Sequence, residues 1–459
     1  MATDPALRNL TRSVFTFPWA ISLFGVQQIV NLLTPSAEGR VAAATGALDA
    51  VRRAADRPRG DWREQTWQAA RTVERGLAEL AKVRPPSIDS SALMRIASQP
   101  RLAPLVAVTA GYLVPPLAWL DSFRIASEDG PALLQEVADK LRIVEGVADA
   151  HSRLGLDRAD DEPLAKLLER AADLDPFQRF WAIEALGTWY ANRALARTTK
   201  GVDPEALLTD EATSGIPSWS LMMLHAGIGV SFALDALAGL APSSPPAVVR
   251  KAITRFIGLC RRSSRRGYAG AALESLGFAA RAFRENLMDA LDEEIPQVEP
   301  EVLGYFWHGA GRAMYFAPAN LLPSANAPRS VIVDLGRETP HELAYRNALS
   351  GIAWAATLAN LRHPEVMEVF LQYHGTVAAE TDAFSDGVSS AVIVRRDTVH
   401  DDRDVTPFIN YEPQSGGAGA AAWRLLVAAP CRAALEHTYT ELQRTGTLEE
   451  LFHYRLSPA

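Results

Sequence analysis

Asp175-Pro176-Phe177-Gln178-Arg179-Phe180-Trp181-Ala182-Ile183-Glu184-Ala185-Leu186-Gly187 is the stretch that decides the fold class. Asp175 is a favoured N-cap, and Pro176 falls at the first helical position, where its missing N–H leaves no intrahelical bond unmade. Phe177, Phe180, Trp181, Glu184 and Gly187 then recur at helical spacing, so one face carries aromatic rings and a single carboxylate. The same signals repeat on either side. Thr34-Pro35, Thr339-Pro340 and Ala429-Pro430 read as helix starts, and Asp61 with Glu64 reads as a capping box ahead of the stripe Trp67, Ala70, Val73, Leu77 and Leu80. Leu134, Val137, Leu141, Val144 and Ala148 form another stripe. Leu221 to Leu234 is apolar nearly all round, the pattern of a buried helix. Only Val331-Ile332-Val333 and the run Ala391 to Val394 are β-branched, and each is short enough to be a small strand or a helix turn.

The chain is therefore predicted to be all-α, a large multi-helical protein. Proline and glycine clusters at 84–86, 130–131, 241–246, 296–300, 318–328 and 412–417 predict the connections. We divide it into an N-terminal helical part, residues 1–150, with an apolar N-terminal segment, and a C-terminal multi-helical body, residues 151–459.

Within that body a pattern echoes. Glu184 with Gly187, His225 with Gly227 and Gly229, Glu274 with Gly277, His308 with Gly309 and Gly311, and Ser350 with Gly351 each set a polar residue beside a small one in an apolar segment. Their intervals run from 34 to 49 residues, close to the roughly 33–47 of helical repeats. Two readings fit: a helical repeat array or toroid, or mid-helix glycines placed where helices pack closely.

Composition narrows the function. Hydrophobic residues make up 48% and charged residues 22% of 459, as in an ordinary globular protein. A net charge of −8 gives the whole chain no electrostatic reason to bind nucleic acid. Two cysteines, Cys260 and Cys431, make no disulfide framework, which fits a reducing cytoplasm. The uncharged run Ser13 to Leu33 follows Arg8 and Arg12 but is interrupted by Pro18 and Trp19 and lacks a clear cleavage site, so it is read as packing on the body or on a second copy of the chain. Residues 102–120 are broken by Pro104, Gly111, Pro115 and Pro116, so no integral membrane span is expected. Gly416-Gly417-Ala418-Gly419 lacks the strand and lysine of a phosphate loop, and no metal-binding spacing occurs, so neither a cofactor nor a metal is predicted.

The candidate catalytic residues are Glu184, His225 and His308. A carboxylate on an apolar face must be ion-paired, protonated or turned to a cavity; Glu184 is thus a buried partner of an arginine or a proton donor and acceptor. His225 is a satisfied core histidine or an acid–base group. His308 and Arg312 lie four apart within Tyr305 to Phe316, so they share a helical face among aromatic rings. Arg312, Tyr305, Trp307, Phe316 and Trp181 are the candidate substrate-binding residues, on the logic that a few polar groups converge in an apolar pocket. The alternative is a sealed core pair in which Glu184 or Glu274 holds Arg312. Glu274 itself, with Arg281 and Glu285 as helical neighbours, reads as lying on a solvated edge. Arg261, Arg262, Arg265 and Arg266 form the densest basic cluster, either a solvated loop at a helix end or a dock for phosphate or an acidic carrier protein.

Gly267-Tyr268-Ala-Gly-Ala-Ala with Leu276-Gly277-Phe278-Ala279, then Gly309-Ala-Gly311-Arg312-Ala-Met-Tyr-Phe316, then Arg346-Asn347-Ala-Leu-Ser-Gly351-Ile-Ala-Trp354 resemble a bacterial family encoded in enediyne-type polyketide gene clusters. The resemblance covers residues 267–375. It implies a role in making or handling a polyene or other lipid-like secondary metabolite and carries over no catalytic residue. Two functions follow as expectations: an enzyme that folds, cyclises or tailors an apolar polyene-like or isoprenoid substrate in a helical cavity, or a non-catalytic helical scaffold for a biosynthetic partner.

Overall fold

The Asp175 carboxylate accepts hydrogen bonds from the Phe177 and Gln178 amides at 3.0 and 3.4 Å, so the helix begins where its cap and proline place it. In the computed structural model, residues 130–156, 162–198, 203–204, 206–317, 331–399, 403–414 and 416–455 are described. Of these, 78% are helical and none is in a strand. The N-terminal segment 13–33, residues 102–120, the 67–80 stripe and the starts at Thr34-Pro35 and Asp61 lie outside the described residues.

The chain divides into two units, residues 1–148 with 318–330, and residues 149–317 with 331–459. Of the first, only α1 (Gly130–Arg153) is described, its last turn belonging to the second. Within α1, Lys140 and Glu136 pair at 2.8 Å. The side chains of its predicted stripe are outside the described residues.

The second unit comprises α2 (Leu164–Ala172), α3 (Pro176–Arg197), α4 (Ser218–Ala238), α5 (Pro246–Ser263), α6 (Ala269–Leu273), α7 (Ser275–Phe283), α8 (Met288–Val298) and α9 (Val302–Phe316). After the undescribed stretch come α10 (Val331–Glu338), α11 (Glu342–Asn360), α12 (Pro364–Ala378), α13 (Ala383–Thr398) and α14 (Val405–Ile409). Then follow α15 (Gly417–Trp423), α16 (Ala429–Ala433) and α17 (Tyr439–Thr445). α4 is the one described helix long and apolar enough to cross a membrane, and most of it is buried against its neighbours in this unit.

Seven helices form the core in chain order. α3 packs on α4, α4 on α6 and α7, α7 on α9, α9 on α11, and α11 on α13, which also meets α4. These are the helices that carry the polar–glycine echo, and the glycines are where they touch. A methyl group added to Gly227 would fall well under 3.0 Å from the Glu184 carbonyl oxygen. Added to Gly309 it would strike the carbonyl of Glu274, and added to Gly351 that of His308. Gly277 meets the Phe306 carbonyl in the same way. At this spacing Cα–H groups lie against carbonyl oxygens, a weak bond repeated along the row.

Both β-branched runs are helical, Val331–Val333 in α10 and Ala391–Val394 in α13. Three predicted breaks also fall inside or at the start of helices. Gly130 and Pro131 open α1, Gly417 opens α15, and Pro296 sits in the last turn of α8. Pro430 lies in the first turn of α16, which continues the helical run before it and is not a separate start. Residues 417–445 run on through π-helical segments at Arg424–Ala428 and Ala434–Thr438, whose wider turns reroute the hydrogen bonds that a proline removes.

Candidate functional site

α9 turns His308 and Arg312 onto one face, one helical turn apart. Opposite them stands Glu274, at the joint between α6 and α7. His308 Nδ1–H donates to Glu274 Oε2 at 2.8 Å, and Arg312 Nη1 donates to Glu274 Oε1 at 2.8 Å. Arg312 Nη2 reaches across to Glu184 of α3. One guanidinium thus joins two carboxylates, one of which also orients an imidazole. The Arg312 head lies 4.7 Å from the Phe278 ring centre and 5.2 Å from that of Trp354, so the cation also rests on aromatic faces. His308 and Glu274 have no solvent contact, while the Glu184 side chain keeps 8% of its surface.

Taking these charges out of water is costly unless each is paired, and here each is. Burial alone would lift the Glu274 carboxyl, but the Arg312 guanidinium and the His308 ring together outweigh it and hold it below its ordinary value. Burial dominates at Glu184 and lifts it, against the pull of Arg312. Two carboxylates face one guanidinium, and their surroundings pull them apart: burial favours the protonated form at Glu184, while the Arg312 and His308 contacts favour the charged form at Glu274.

On the other side the cluster is incompletely matched. His308 Nε2, Arg312 Nε and Trp354 Nε1 are buried and make no hydrogen bond. The His308 ring meets Trp354 and Phe452 edge-on, at 6.0 and 6.2 Å. A buried polar group left unmatched costs about 1–3 kcal/mol, so these atoms gain most from a polar atom brought to them.

Next along the row, Ser350 of α11 donates to Asp386 Oδ2 of α13 at 3.0 Å. Burial pushes the Asp386 carboxyl up to about 6, against the opposing Ser350 hydrogen bond and the nearby His308. The folded chain therefore holds this proton more tightly than the unfolded chain, and stability falls as pH rises between the ordinary aspartate value and 6. Asp386→Asn is expected to stabilise by roughly 2–3 kcal/mol at pH 7.5 and by about half that at pH 5. Urea unfolding at both pH values checks it, and an equal effect at the two would assign the change to packing instead.

The structure does not bring every candidate together. His225 Nδ1–H donates to the Leu221 carbonyl at 2.6 Å, and Nε2 accepts from the Arg265 amide at 3.0 Å. Both ring nitrogens are held by backbone, and burial pushes this histidine down to about 4. Trp181 and Phe316 meet edge-on at 6.2 Å, but Trp307 donates to Asp292 at 2.6 Å and Tyr305 packs on His453 at 4.3 Å. In the basic cluster, Arg261 pairs with Glu299, Arg262 with Asp203 at 2.7 Å and Arg265 with Asp210 at 3.2 Å, while Arg266 is exposed. Three of its four charges are thus matched by acids of the same chain.

Glu274 corrects its sequence reading. It is fully buried at the centre of the cluster, because the partners that decide its place, His308 and Arg312, come from α9, whereas its helical neighbour Arg281 pairs with Glu338. Trp354 and Phe452 carried no local signal. Asp386 did: Asp386-Gly387 repeats the polar–glycine pair 36 residues after Ser350. Among the described residues no group of three or more His, Cys, Asp or Glu is arranged to hold a metal ion. No protein-family model, no curated protein and no solved structure matches the chain.

Proposed function

We propose that this chain is an acid–base enzyme of secondary metabolism, acting on an apolar, polyene-like or isoprenoid substrate held among the aromatic side chains around His308. The observation that carries the reading is the His308–Glu274 dyad. A carboxylate fixes the Nδ1–H tautomer, and the other ring nitrogen is left without a partner beside Trp354 and Phe452. That is the arrangement of an oriented general base: Nε2 accepts a proton from the substrate, the imidazolium is stabilised by Glu274, and the proton is returned at a second carbon or oxygen. Arg312 Nε–H and Trp354 Nε1–H are the neighbouring donors available to a substrate oxygen. The resemblance of residues 267–375 to enediyne-cluster proteins supports the substrate class.

The test is the small molecule that the protein retains. The wild-type chain and His308→Gln, both loaded from an apolar extract of the native host, are compared by mass spectrometry after denaturing release. A bound apolar compound is expected in both, with substrate replacing product in the variant. If neither retains one, the reading fails. A second reading, a non-catalytic scaffold, is favoured by one observation: both Arg312 amino groups are already held by the chain's own carboxylates. Under it, His308→Gln lowers stability and leaves any retained molecule unchanged.

A further inference from the structure

His308 has no solvent contact, so anything that reaches it must displace part of the fold. The helical walls are poor candidates to move. α7, α9, α11 and α13 meet through glycines whose neighbours are backbone carbonyls, and shifting one helix breaks that row along its length. The remaining cover is irregular. After α17 the chain turns at Gly446, which has φ 67°, forms a 3₁₀ turn at Leu448–Phe452, and continues extended through His453 to Arg455. Phe452 is the side chain that this segment lays against His308 and Trp354.

Its two ends are attached differently. At the start, backbone meets backbone: Gly267 lies against the Gly446 carbonyl and Gly270 against that of Glu449, with no room for a side chain. At the far end the His453 ring packs on Tyr305, and the remaining attachment is polar. Tyr454 N–H donates to Asn347 Oδ1 at 2.7 Å, and Asn347 Nδ2 donates back to the Tyr454 carbonyl at 3.2 Å. The asparagine amide thus pairs with the segment as a neighbouring strand would. The Tyr454 hydroxyl donates to Asp382. Such bonds exchange with water at little net cost, whereas the glycine contacts have no substitute. Closed, the segment leaves His308 Nε2, Trp354 Nε1 and His453 Nδ1 unmatched; lifted, it lets each find a partner.

We propose that Leu448–Arg455 is a strap that gates His308, hinged near Gly446, plugged by Phe452 and latched by the Asn347–Tyr454 pairing. The proposal rests on His308 being the functional group of the site, but its test does not depend on turnover. Diethylpyrocarbonate carbethoxylates accessible histidine nitrogens, and peptide mass spectrometry gives a rate for each histidine. His437, whose side chain is 80% exposed, is the fast reference, and His225, fully buried with both nitrogens engaged, is the slow one.

In the wild type, His308 is expected to react far more slowly than His437. Asn347→Ala is expected to raise the His308 rate tenfold or more while His225 stays slow. Tyr454→Phe, which removes the hydroxyl's bonds to Asp382 and Arg346 but leaves the Asn347 pairing, is expected to give a smaller rise and serves also if Asn347→Ala does not fold. The proposal is overturned if His308 and His225 accelerate together, since that is general loosening. It is equally overturned if His308 keeps its wild-type rate while hydrogen exchange shows the Tyr454 amide released, or if wild-type His308 already reacts as fast as His437.

Discussion

Arg312→Met is expected to lower the free energy of unfolding by about 3–5 kcal/mol at neutral pH, the loss typical of breaking a buried ion pair from one side. Methionine matches the stem of arginine and removes only the guanidinium, with its hydrogen bonds and its contacts on the Phe278 and Trp354 rings, so the deficit reports the cation. Glu184 would lose the arginine that holds it, and Glu274 would be left with His308 alone. Arg312→Lys is expected to fall between the two, because a single ammonium cannot donate in one plane to two carboxylates on different helices. The sign with pH separates this account from simple cavity formation. In the wild type Glu274 lies below its ordinary value, so its contribution is present above the ordinary carboxylate range and is lost as pH falls. Without the guanidinium both carboxyls move upward by burial, and a raised acid is most stable protonated. The gap between Arg312→Met and wild type should therefore narrow from pH 8 to pH 5. Adding Glu184→Gln and Glu274→Gln should recover much of the loss at pH 8. Urea titrations of these variants measure each term; a deficit below about 1 kcal/mol, or one that widens in acid, contradicts the charge account.

What was legible in the sequence follows the range over which the deciding interactions act. The cap at Asp175 and the all-round apolar run of α4 are local, and both elements form as read. The runs at Val331 and Ala391 were ambiguous because three β-branched residues show no period, and their helical state is decided by the longer helices that contain them. Pro430 misled because a proline stops a helix only when its lost hydrogen bond has no alternative, and the π-helical turns on either side provide one. The polar–glycine echo was visible, yet only the structure shows what it does. It marks the positions where helices approach to backbone contact, and three of the polar side chains beside those glycines, Glu184, Glu274 and His308, are carried into the Arg312 cluster. Glu274 was misplaced because its environment is set by Arg312 and His308, 38 and 34 residues away. Phe452 is more distant still in sequence and lies in a segment with no helical period, so nothing linked it to His308.

Gly277→Ala is expected to destabilise by about 3 kcal/mol or more, at the upper end of overpacking costs, although alanine is the better helix former. The added methyl would sit inside the radius of the Phe306 carbonyl oxygen and beside the Ala310 amide. Both are backbone atoms of α9, so no side chain can rotate away. α7 and α9 would have to separate, and they carry Glu274 on one side and His308 with Arg312 on the other. The clash therefore loosens the charge cluster as well as the packing, and the cost exceeds that of a surface overlap. Gly309→Ala, which strikes the Glu274 carbonyl from the opposite helix, should cost a similar amount for the same reason. Gly375 supplies the control. It lies in α12 with nothing within 4 Å of an added methyl, so Gly375→Ala should stabilise by about 0.5–1 kcal/mol through helix propensity alone. Three urea curves followed by tryptophan fluorescence decide the matter. If Gly277→Ala and Gly375→Ala shift the midpoint in the same direction, the glycines are in place for reasons other than close approach, and the rigidity of the walls around His308 loses its basis.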